Sequence, residues 1–332
     1  MRVTVIGAGV AGLVSALELA ARGARVEIVE RGSHLGEQSC SWSAGGMLAP
    51  WCEGAEAALS GLGQVALDWW PKHFPETAIN GTLVVAPARD AGELTRFAQR
   101  TERSEWVGSD RIGKLEPDLA GRFHKALFFA DEAHLDPRCA LSALASKLTA
   151  MGVPIRFGID ATRTHIEADR IIDCRGLASR DALGDLRGVR GEMVVVRSKD
   201  VTLSRPVRLL HPRIPLYVVP RADGLFMIGA TMIESDSRGP VTARSAVELL
   251  GGAYSLHPAF GEAEIIEMKA DIRPAFPDNL PRIIERGRTI HLNGLYRHGF
   301  LLAPAFARRA ADAVFGTNLE TAYEGHSERR RA

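Results

Sequence analysis

Residues 2–30, RVTVIGAGVAGLVSALELAARGARVEIVE, decide the fold of this chain. The run from Arg2 to Ile6 is short, apolar and rich in β-branched residues, which predicts a buried strand. Apolar residues between Val10 and Arg22 recur at helical spacing, and Gly23 suits a helix C-terminus that needs positive φ. Arg25 to Glu30 is a second buried strand. The stretch therefore predicts a βαβ unit with parallel strands.

The turn between the first strand and the helix reads GAGVAG, from Gly7 to Gly12. Gly7 permits the tight turn, Gly9 lets the backbone approach a pyrophosphate, and Gly12 lets the helix pack closely on the strand. The helix N-terminus offers free N–H groups to phosphates. Glu30 ends the second strand, where a carboxylate can accept the ribose hydroxyls of an adenosine and would repel a 2′-phosphate. The pattern predicts a dinucleotide site for FAD or NAD, and NADP is disfavoured.

The rest of the chain indicates two interleaved domains. Strand and helix patterns of the βα type return at 137–176 and 289–315, whereas strands from Glu192 to Ile228 follow one another closely, which is typical of an antiparallel sheet. We therefore expect an α/β protein with a doubly wound, Rossmann-like domain, an interleaved and mainly antiparallel substrate domain, and a ligand cleft between them. Helices are expected at 58–73, 91–103, 137–152, 242–256 and 304–315, and further strands at 82–86, 155–157, 170–174, 192–197, 206–211, 215–219, 225–229, 265–273 and 289–293.

Composition excludes several classes of protein. The 332 residues, 46% of them hydrophobic and 24% charged, are ordinary for a soluble chain of about two domains. Lys and Arg (41) balance Asp and Glu (40), so a net charge of +1 gives no electrostatic footprint for nucleic acid. The N-terminal apolar stretch holds spaced glycines and an acidic residue, so we expect neither a signal peptide nor a membrane span. The cysteines, which lack metal-site spacing and are expected to be reduced thiols of a cytoplasmic protein, are Cys40, Cys52, Cys139 and Cys174.

Two later segments favour a flavin over a nicotinamide. SCSWSAGGMLAP at 39–50 combines small residues with a glycine pair, so a flat ring could lie against its backbone. NGLYRHGFLLAP at 293–304 places a glycine-containing turn between a strand and a helix. The N-terminus of that helix would stabilise the negative charge of a reduced flavin. An NAD-dependent dehydrogenase is the alternative from another class, but the chain lacks a second βαβ half to position a nicotinamide.

Together these segments resemble the FAD-dependent amine oxidases of the D-amino-acid oxidase and sarcosine oxidase family, and most nearly its glycine oxidases of bacterial thiamine biosynthesis. The resemblance covers nearly the whole chain. The segments that carry it are GAGVAG with Glu30, SAGGML at 43–48, LDP at 135–137, IIDCRG at 171–176, RGE at 190–192, YVVPR at 217–221, IGATM at 228–232, IRP at 272–274 and YRHGFLLAP at 296–304. Sarcosine oxidases carry flavin on a C-terminal cysteine, and no cysteine follows Cys174 here, so noncovalent FAD is expected.

The resemblance also implies where FAD binds and how the chain divides. The FAD-binding domain would comprise 1–78, 137–186 and 274–319, the substrate-binding domain 79–136 and 187–273, and a tail 320–332. The chain is shortened near Ala161, where an adenine contact is implied. The implied cofactor-binding residues are Gly7, Gly9, Val10, Ala11, Gly12, Glu30, Arg31, Cys40, Ser41, Gly45, Gly46, Met47, Ala161, Gly176, Leu295, Tyr296, Arg297, His298, Gly299, Phe300 and Leu301.

Four further matches concern the substrate. Arg273 matches the arginine that binds the amino acid's carboxylate, a task suited to a planar guanidinium, and Tyr217 matches its helper. Met232 matches a pocket wall, and Arg297 a residue that touches both flavin and substrate. The plainer interpretations are a surface salt bridge for Arg273, sheet packing for Tyr217 and a structural role for Arg297. No metal site is expected, and no catalytic side chain is required because the flavin performs the redox step.

The activity implied by the resemblance is oxidation of glycine to its imine by FAD, with oxygen reduced to hydrogen peroxide. The imine would supply thiazole formation in thiamine biosynthesis, or hydrolyse to glyoxylate and ammonia. The expected partners are glycine or another small amino acid, oxygen, and further copies of the chain in a homo-oligomer. The alternatives are a D-amino-acid or sarcosine-type oxidase, and the flavin subunit of an amino-acid dehydrogenase.

Overall fold

The computed structural model describes residues 1–53, 57–211 and 215–316, with the backbone alone for 57–60. The helices within these ranges are α1 (Val10–Ala21), α2 (Ala57–His73), α3 (Ala91–Ala98), α4 (Ser109–Leu115), α5 (Pro137–Ala150), α6 (Ala243–Leu256) and α7 (Gly299–Phe315). The strands are β1 (Arg2–Ile6), β2 (Arg25–Glu30), β3 (Met47–Leu48), β4 (Thr82–Val85), β5 (Glu105–Gly108), β6 (Lys125–Phe129), β7 (Ala133–His134), β8 (Ile155–Phe157), β9 (Arg170–Asp173), β10 (Arg187–Arg197), β11 (Val207–Leu209), β12 (Leu216–Pro220), β13 (Leu225–Gly229), β14 (Ile233–Glu234), β15 (Glu264–Ala275), β16 (Arg282–Arg286) and β17 (Thr289–Asn293).

The smaller main sheet has six strands in the order β16-β17-β9-β1-β2-β8. All neighbours are parallel except β16 and β17. The chain winds outward from β1 through β2 to β8 and then returns to β9 on the other side of β1. The doubly wound arrangement expected from the sequence is confirmed. Ligands of such sheets bind where the winding direction reverses, beyond the carboxyl ends of β1 and β9.

The larger sheet has nine strands and is mainly antiparallel, as the spacing of its strands predicts. Its order is β14-β10-β13-β12-β11-β4-β6-β5, and β15 pairs with β10. The pairing of β4 with β11 is parallel. Antiparallel pairing with β15 extends β10 back to Arg187, five residues before its expected start at Glu192. The sequence predicts no strand at 105–108, 125–129 or 282–286, where β5, β6 and β16 lie.

Capping side chains explain where two of the helices begin. The carboxylate of Asp136 accepts hydrogen bonds from the backbone N–H groups of Arg138 (2.8 Å) and Cys139 (3.2 Å) at the start of α5. The hydroxyl of Thr242 accepts from the N–H of Ser245 (3.3 Å) at the start of α6. Both helices therefore begin within one residue of the predicted position.

Helix α7 corrects the prediction that a helix begins at Pro304. It begins at Gly299 and holds Pro304 in its interior. A proline there has no N–H for the carbonyl of residue i−4, which is Phe300. The buried indole of Trp70 donates to that carbonyl instead, at 2.8 Å. Helix α3 is also shorter than predicted, because it ends at Ala98.

The domain boundaries stay a proposal. It is supported by the sheets, since the small one draws its strands from 1–30, 155–173 and 282–293, and the large one from 82–129 and 187–275. The predicted tail, 320–332, lies outside the described residues. No described helix is both long and apolar enough to cross a membrane. The cysteines all lie in the described ranges and none is in a disulfide.

Candidate active site

The turn at the N-terminus of α1 presents bare backbone. Gly9 precedes the helix, and a side chain there would begin 2.9 Å from the hydroxyl oxygen of Ser39. A methyl group at Gly12 would overlap the carbonyl of Gly7, so the helix packs on the turn as the sequence predicts. The N–H of Val10 is 3.2 Å from the hydroxyl of Ser41. Because the N–H of Val10 bonds to Ser41, the remaining N–H groups of the first turn of α1 are the donors that it can offer to an anion such as a pyrophosphate.

Glu30 lies beside this turn at the carboxyl end of β2. One carboxylate oxygen accepts the N–H of Ala8 at 2.8 Å, and the other accepts the N–H of Gly32 at 2.9 Å. Each oxygen keeps a lone pair after these bonds. The carboxylate is therefore fixed by backbone while it can still accept hydroxyl groups, which is the arrangement that a ribose needs.

Two adjoining cavities hold nearly all the residues predicted to bind ligand. The first, which we call the glycine-rich cavity, is lined among these by Gly7, Gly9, Val10, Ala11, Glu30, Arg31, Cys40, Ser41, Ala161, Gly176, Leu295, Tyr296 and Gly299. The second, which we call the arginine cavity, is lined among them by Cys40, Ser41, Gly45, Gly46, Met47, Tyr217, Met232, Arg273, Tyr296, Arg297, His298, Gly299, Phe300 and Leu301. Gly12 lines neither. The residues that line both are Cys40, Ser41, Asp271, Tyr296 and Gly299.

A second helix N-terminus meets the arginine cavity, because α7 begins at Gly299. The first N–H groups of a helix have no partner within it and carry positive partial charge. His298 precedes the helix, and burial together with Arg297 lowers its pKa to about 4, so it is neutral near pH 7. One helix N-terminus for a pyrophosphate and another at the adjoining cavity fit a flavin dinucleotide. Contacts of individual residues with FAD stay a prediction.

Arg273 crosses the floor of the arginine cavity. Its guanidinium lies over Gly191 of the neighbouring strand, where any side chain would collide with it. Nη1 donates to the carbonyl of Thr231 at 3.0 Å. Among the residues that the structure describes, no carboxylate lies within 4.0 Å of this guanidinium. The salt bridge of the plainer interpretation is therefore not formed within that part of the chain.

Tyr217 and Met232 form walls of the same cavity. The ring of Tyr217 packs on Gly45, since a methyl group there would lie 2.9 Å from ring carbon Cε2. Burial raises the pKa of the Tyr217 phenol, which keeps it a hydrogen-bond donor. The sulfur of Met232 lies 3.6 Å from the hydroxyl of Tyr296 and 3.3 Å from Nη1 of Arg297.

An ion-paired cluster, which the sequence did not reveal, lies at another wall. The carboxylate of Glu53 pairs with the guanidinium groups of both Arg208 and Arg297. Burial opposes the charge of Glu53, but the two arginines outweigh it and lower its pKa to about 2. The sequence offered one indication of Arg208, because it alternates with Val207 and Leu209, which are buried, and so lies on the opposite face of its strand. Glu53 follows Trp51 and Cys52 in a loop without any pattern.

Asp271 was also missed, although it lines both cavities. It lies two residues before Arg273 on β15 and therefore on the same face of the strand. Burial raises the pKa of its carboxyl group. Strand alternation around Arg273 was the signal that would have found it.

Comparison with known proteins identifies the family to which nearly all of this chain is similar. The family model described as DAO, FAD dependent oxidoreductase, matches residues 2–313. A Rhizobium etli protein named as a thiamine biosynthesis oxidoreductase, ThiO, is 55% identical over 94% of this chain and 95% of its own length. Glycine oxidase of Pseudomonas aeruginosa is 28% identical over 95% of each chain. The solved structure of glycine oxidase from Bacillus cereus has a TM-score of 0.83 and 24% identity over 96% of each chain.

These matches agree with the geometry of the two cavities. The family match includes both sheets, the turn at α1 and the start of α7. The structural likeness independently shows the same fold. The glycine-rich cavity, with bare backbone at a helix N-terminus and a fixed carboxylate beside it, suits the cofactor that gives the family its description. The chain belongs to the DAO family of FAD-dependent oxidoreductases.

Proposed function

We propose that this protein oxidises glycine to its imine and that oxygen, reduced to hydrogen peroxide, is the final electron acceptor. Bound FAD supplies the two-electron chemistry. The imine would supply thiazole formation in thiamine biosynthesis, and in water it hydrolyses to glyoxylate and ammonia. The names of the relatives from Rhizobium etli and Pseudomonas aeruginosa support this proposal.

The observation that carries the proposal is the position of Arg273. Its guanidinium lies in the arginine cavity, beside a protonated Tyr217, without a carboxylate partner in the described part of the chain. A planar guanidinium can bind a carboxylate through two parallel hydrogen bonds. The arginine cavity adjoins the glycine-rich cavity, so a small amino acid held there would lie next to bound cofactor.

Two ionisable groups of the cavity, Glu53 and His298, favour a substrate that enters with a neutral amine. Glu53, with a pKa of about 2, and His298, with a pKa of about 4, are poor acceptors for a proton near pH 7. We therefore assign no catalytic base among them. The roles of Arg273, Tyr217 and the arginine cavity are to bind, to orient and to exclude water.

We also propose that FAD is held noncovalently by the residues of the two cavities, and that the protein works in the cytoplasm as a homo-oligomer. The absence of disulfides among Cys40, Cys52, Cys139 and Cys174 suits a reducing compartment. Light scattering after size-exclusion chromatography measures the oligomeric state. Acid precipitation followed by the absorption spectrum of the supernatant tests the cofactor, because noncovalent FAD is released and covalent flavin is not.

A substrate panel with peroxide detection tests the activity. Glycine, sarcosine, D-alanine and L-proline are compared at equal concentration, in air with a peroxide assay and without oxygen with an artificial dye. The proposal expects the highest kcat/KM for glycine and one peroxide per turnover. A preference for D-alanine or sarcosine would contradict the substrate, and turnover with the dye but not with oxygen would contradict the oxidase activity.

A further inference from the structure

The arginine cavity contains more positive charge than one carboxylate requires. Among the described residues, three guanidinium groups line it, those of Arg208, Arg273 and Arg297. The groups of Arg208 and Arg297 converge on the carboxylate of Glu53, whose side chain is only 9% exposed. Two guanidinium groups that converge on one point form an anion site. In this protein the occupant of that site is one of its own side chains.

Buried contacts fix the segment that carries Glu53. One carboxylate oxygen of Glu132, a fully buried residue, accepts the N–H groups of Trp51 (3.1 Å) and Cys52 (2.7 Å). The carbonyl of Cys52 is also 3.4 Å from Nη1 of Arg208. The backbone just before Glu53 is thus held in place. Its carboxylate is directed to the two arginines by packed structure and not by a surface contact alone.

We infer that Glu53 is a specificity-determining residue, which occupies a second anion site in the substrate cavity and so restricts the enzyme to amino acids with a single acidic group. The inference rests on the proposed function, in which Arg273 binds the first carboxylate. A substrate with a second carboxylate would meet the negative charge of Glu53, and it would find the point on which the two guanidinium groups converge already occupied by that side chain. Attraction of the first carboxylate and repulsion of a second one together discriminate between monocarboxylate and dicarboxylate substrates.

The test compares the binding of monocarboxylate and dicarboxylate ligands to the FAD-loaded protein. Dissociation constants of acetate and succinate are measured by titration calorimetry for the wild type and for Glu53→Gln. Glutamine removes the charge at nearly constant volume and leaves Arg208 and Arg297 available. The preference is the dissociation constant of acetate divided by that of succinate. We expect it to rise about tenfold or more in Glu53→Gln, which corresponds to the free energy of roughly one charge-assisted hydrogen bond.

Two controls separate this effect from a general change of charge. Asp271→Asn removes a negative charge from the same cavity without releasing an arginine, so the preference should stay within about threefold of the wild type. Adding Arg208→Gln to Glu53→Gln should abolish most of the gain. An unchanged preference in Glu53→Gln, or an equal gain in Asp271→Asn, would overturn the inference.

A further variant keeps the inference testable if Glu53→Gln does not fold or does not retain FAD. Arg208→Gln leaves the charge of Glu53 less neutralised, so the preference for succinate should fall further, and an unchanged preference would count against the inference. If acetate does not bind to the wild type, the carboxylate site at Arg273 is wrong. The absolute gain in succinate affinity on Glu53→Gln would still decide the role of Glu53.

Discussion

The guanidinium of Arg273 lies directly over Gly191, so close that a methyl group at position 191 would overlap it. The two residues are on adjacent strands, β15 and β10. Gly191 therefore has a functional reason to lack a side chain, because it makes the space in which Arg273 can turn toward the cavity. In the proposed carboxylate site, position 191 therefore acts by setting the position of Arg273.

Gly191→Ala should raise KM for glycine by about tenfold or more, because the methyl group displaces Arg273 from its position. The unfolding temperature should change little by comparison. Steady-state oxygen uptake measures KM, after the flavin content has been checked. Gly251→Ala is the matched control, since a methyl group on this exposed residue of α6 meets nothing within 4 Å. Equal KM values for the two variants would contradict the prediction.

Arg273→Ala should raise KM for glycine about 30-fold to several-thousand-fold, because a carboxylate would lose a charge-assisted contact in a partly desolvated cavity. Arg273→Lys should recover only part of this loss, because lysine lacks the planar fork. FAD content should stay near that of the wild type. Arg308→Ala, on an exposed residue of α7, is the control. A KM within about threefold of the wild type would show that Arg273 does not bind the carboxylate.

Glu30→Lys should weaken the binding of FAD and leave the core folded. The substitution removes the acceptor at the end of β2 and places a positive charge beside the N–H groups of Ala8 and Gly32, to which Glu30 now bonds. Titration of the apoprotein with FAD, followed by flavin fluorescence, gives the dissociation constant. Glu27→Lys lies on the same strand and contacts Thr4, so it should retain FAD. Tight, complete FAD binding by Glu30→Lys would contradict the assignment.

Glu132→Gln should stabilise the protein at alkaline pH. Burial raises the pKa of Glu132 to about 8, so the folded protein keeps a proton that the unfolded chain releases above about pH 5. Its contribution to the free energy of unfolding therefore falls as pH rises from about 5 to about 8. Glutamine keeps an acceptor for Trp51 and Cys52 and does not titrate. The variant should gain on the order of 4 kcal/mol relative to the wild type across this range.

Denaturant unfolding at several pH values measures that difference. Glu116→Gln is the matched control at a second buried glutamate, which pairs with Arg205 at 2.8 Å. It should destabilise the protein at neutral pH, by roughly 3 kcal/mol, because it leaves Arg205 without its charged partner. If the difference between Glu132→Gln and the wild type does not depend on pH, Glu132 does not titrate in this range.

kcat/KM for glycine should rise with pH between about 6 and 10, because only the neutral amine can be oxidised and no described group with a suitable pKa is assigned to remove its proton. Asp271 must be tested as a possible base for the amine proton, since burial raises its pKa and it lines the arginine cavity. The alkaline rise should persist in Asp271→Asn. A flat profile in the wild type would contradict the requirement for a neutral amine, and loss of the rise in Asp271→Asn would make Asp271 the base.

Local signals in the sequence predicted much of the fold. GAGVAG, Glu30 and the Asp136-Pro137 helix start depend on neighbours within a few residues, and their structures follow the expectation. Pro304 is the instructive failure. A proline is a sound marker of a helix start, but a side chain from α2 supplies the hydrogen bond that the proline cannot. Trp70 is far from α7 in sequence, so no local pattern could reveal this.

The candidate site was predictable where a family motif carries it and less so elsewhere. Arg273 and Tyr217 were named from motifs, and both line the arginine cavity. Glu53 and Arg208 were not named. The alternation of Arg208 with buried neighbours marks only its face of the strand, and its pairing with Glu53 arises only when a loop and a distant strand meet at Arg297. The charge cluster is a property of the tertiary fold, and its members carry no common spacing.

The order of strands in the smaller sheet has a consequence for biosynthesis. β1 is made before the other strands of its sheet, whereas β17, its second neighbour beyond β9, and the cavity wall from Leu292 to Tyr296 follow much later in the chain. At ordinary rates of translation the nascent glycine-rich turn waits roughly tens of seconds for these partners. The glycine-rich cavity, the proposed FAD site, is therefore complete only after Tyr296 has been made. Until α7 has been made, the face of α1 that packs on α7 stays uncovered, and chaperones that shield nascent chains would find a target there.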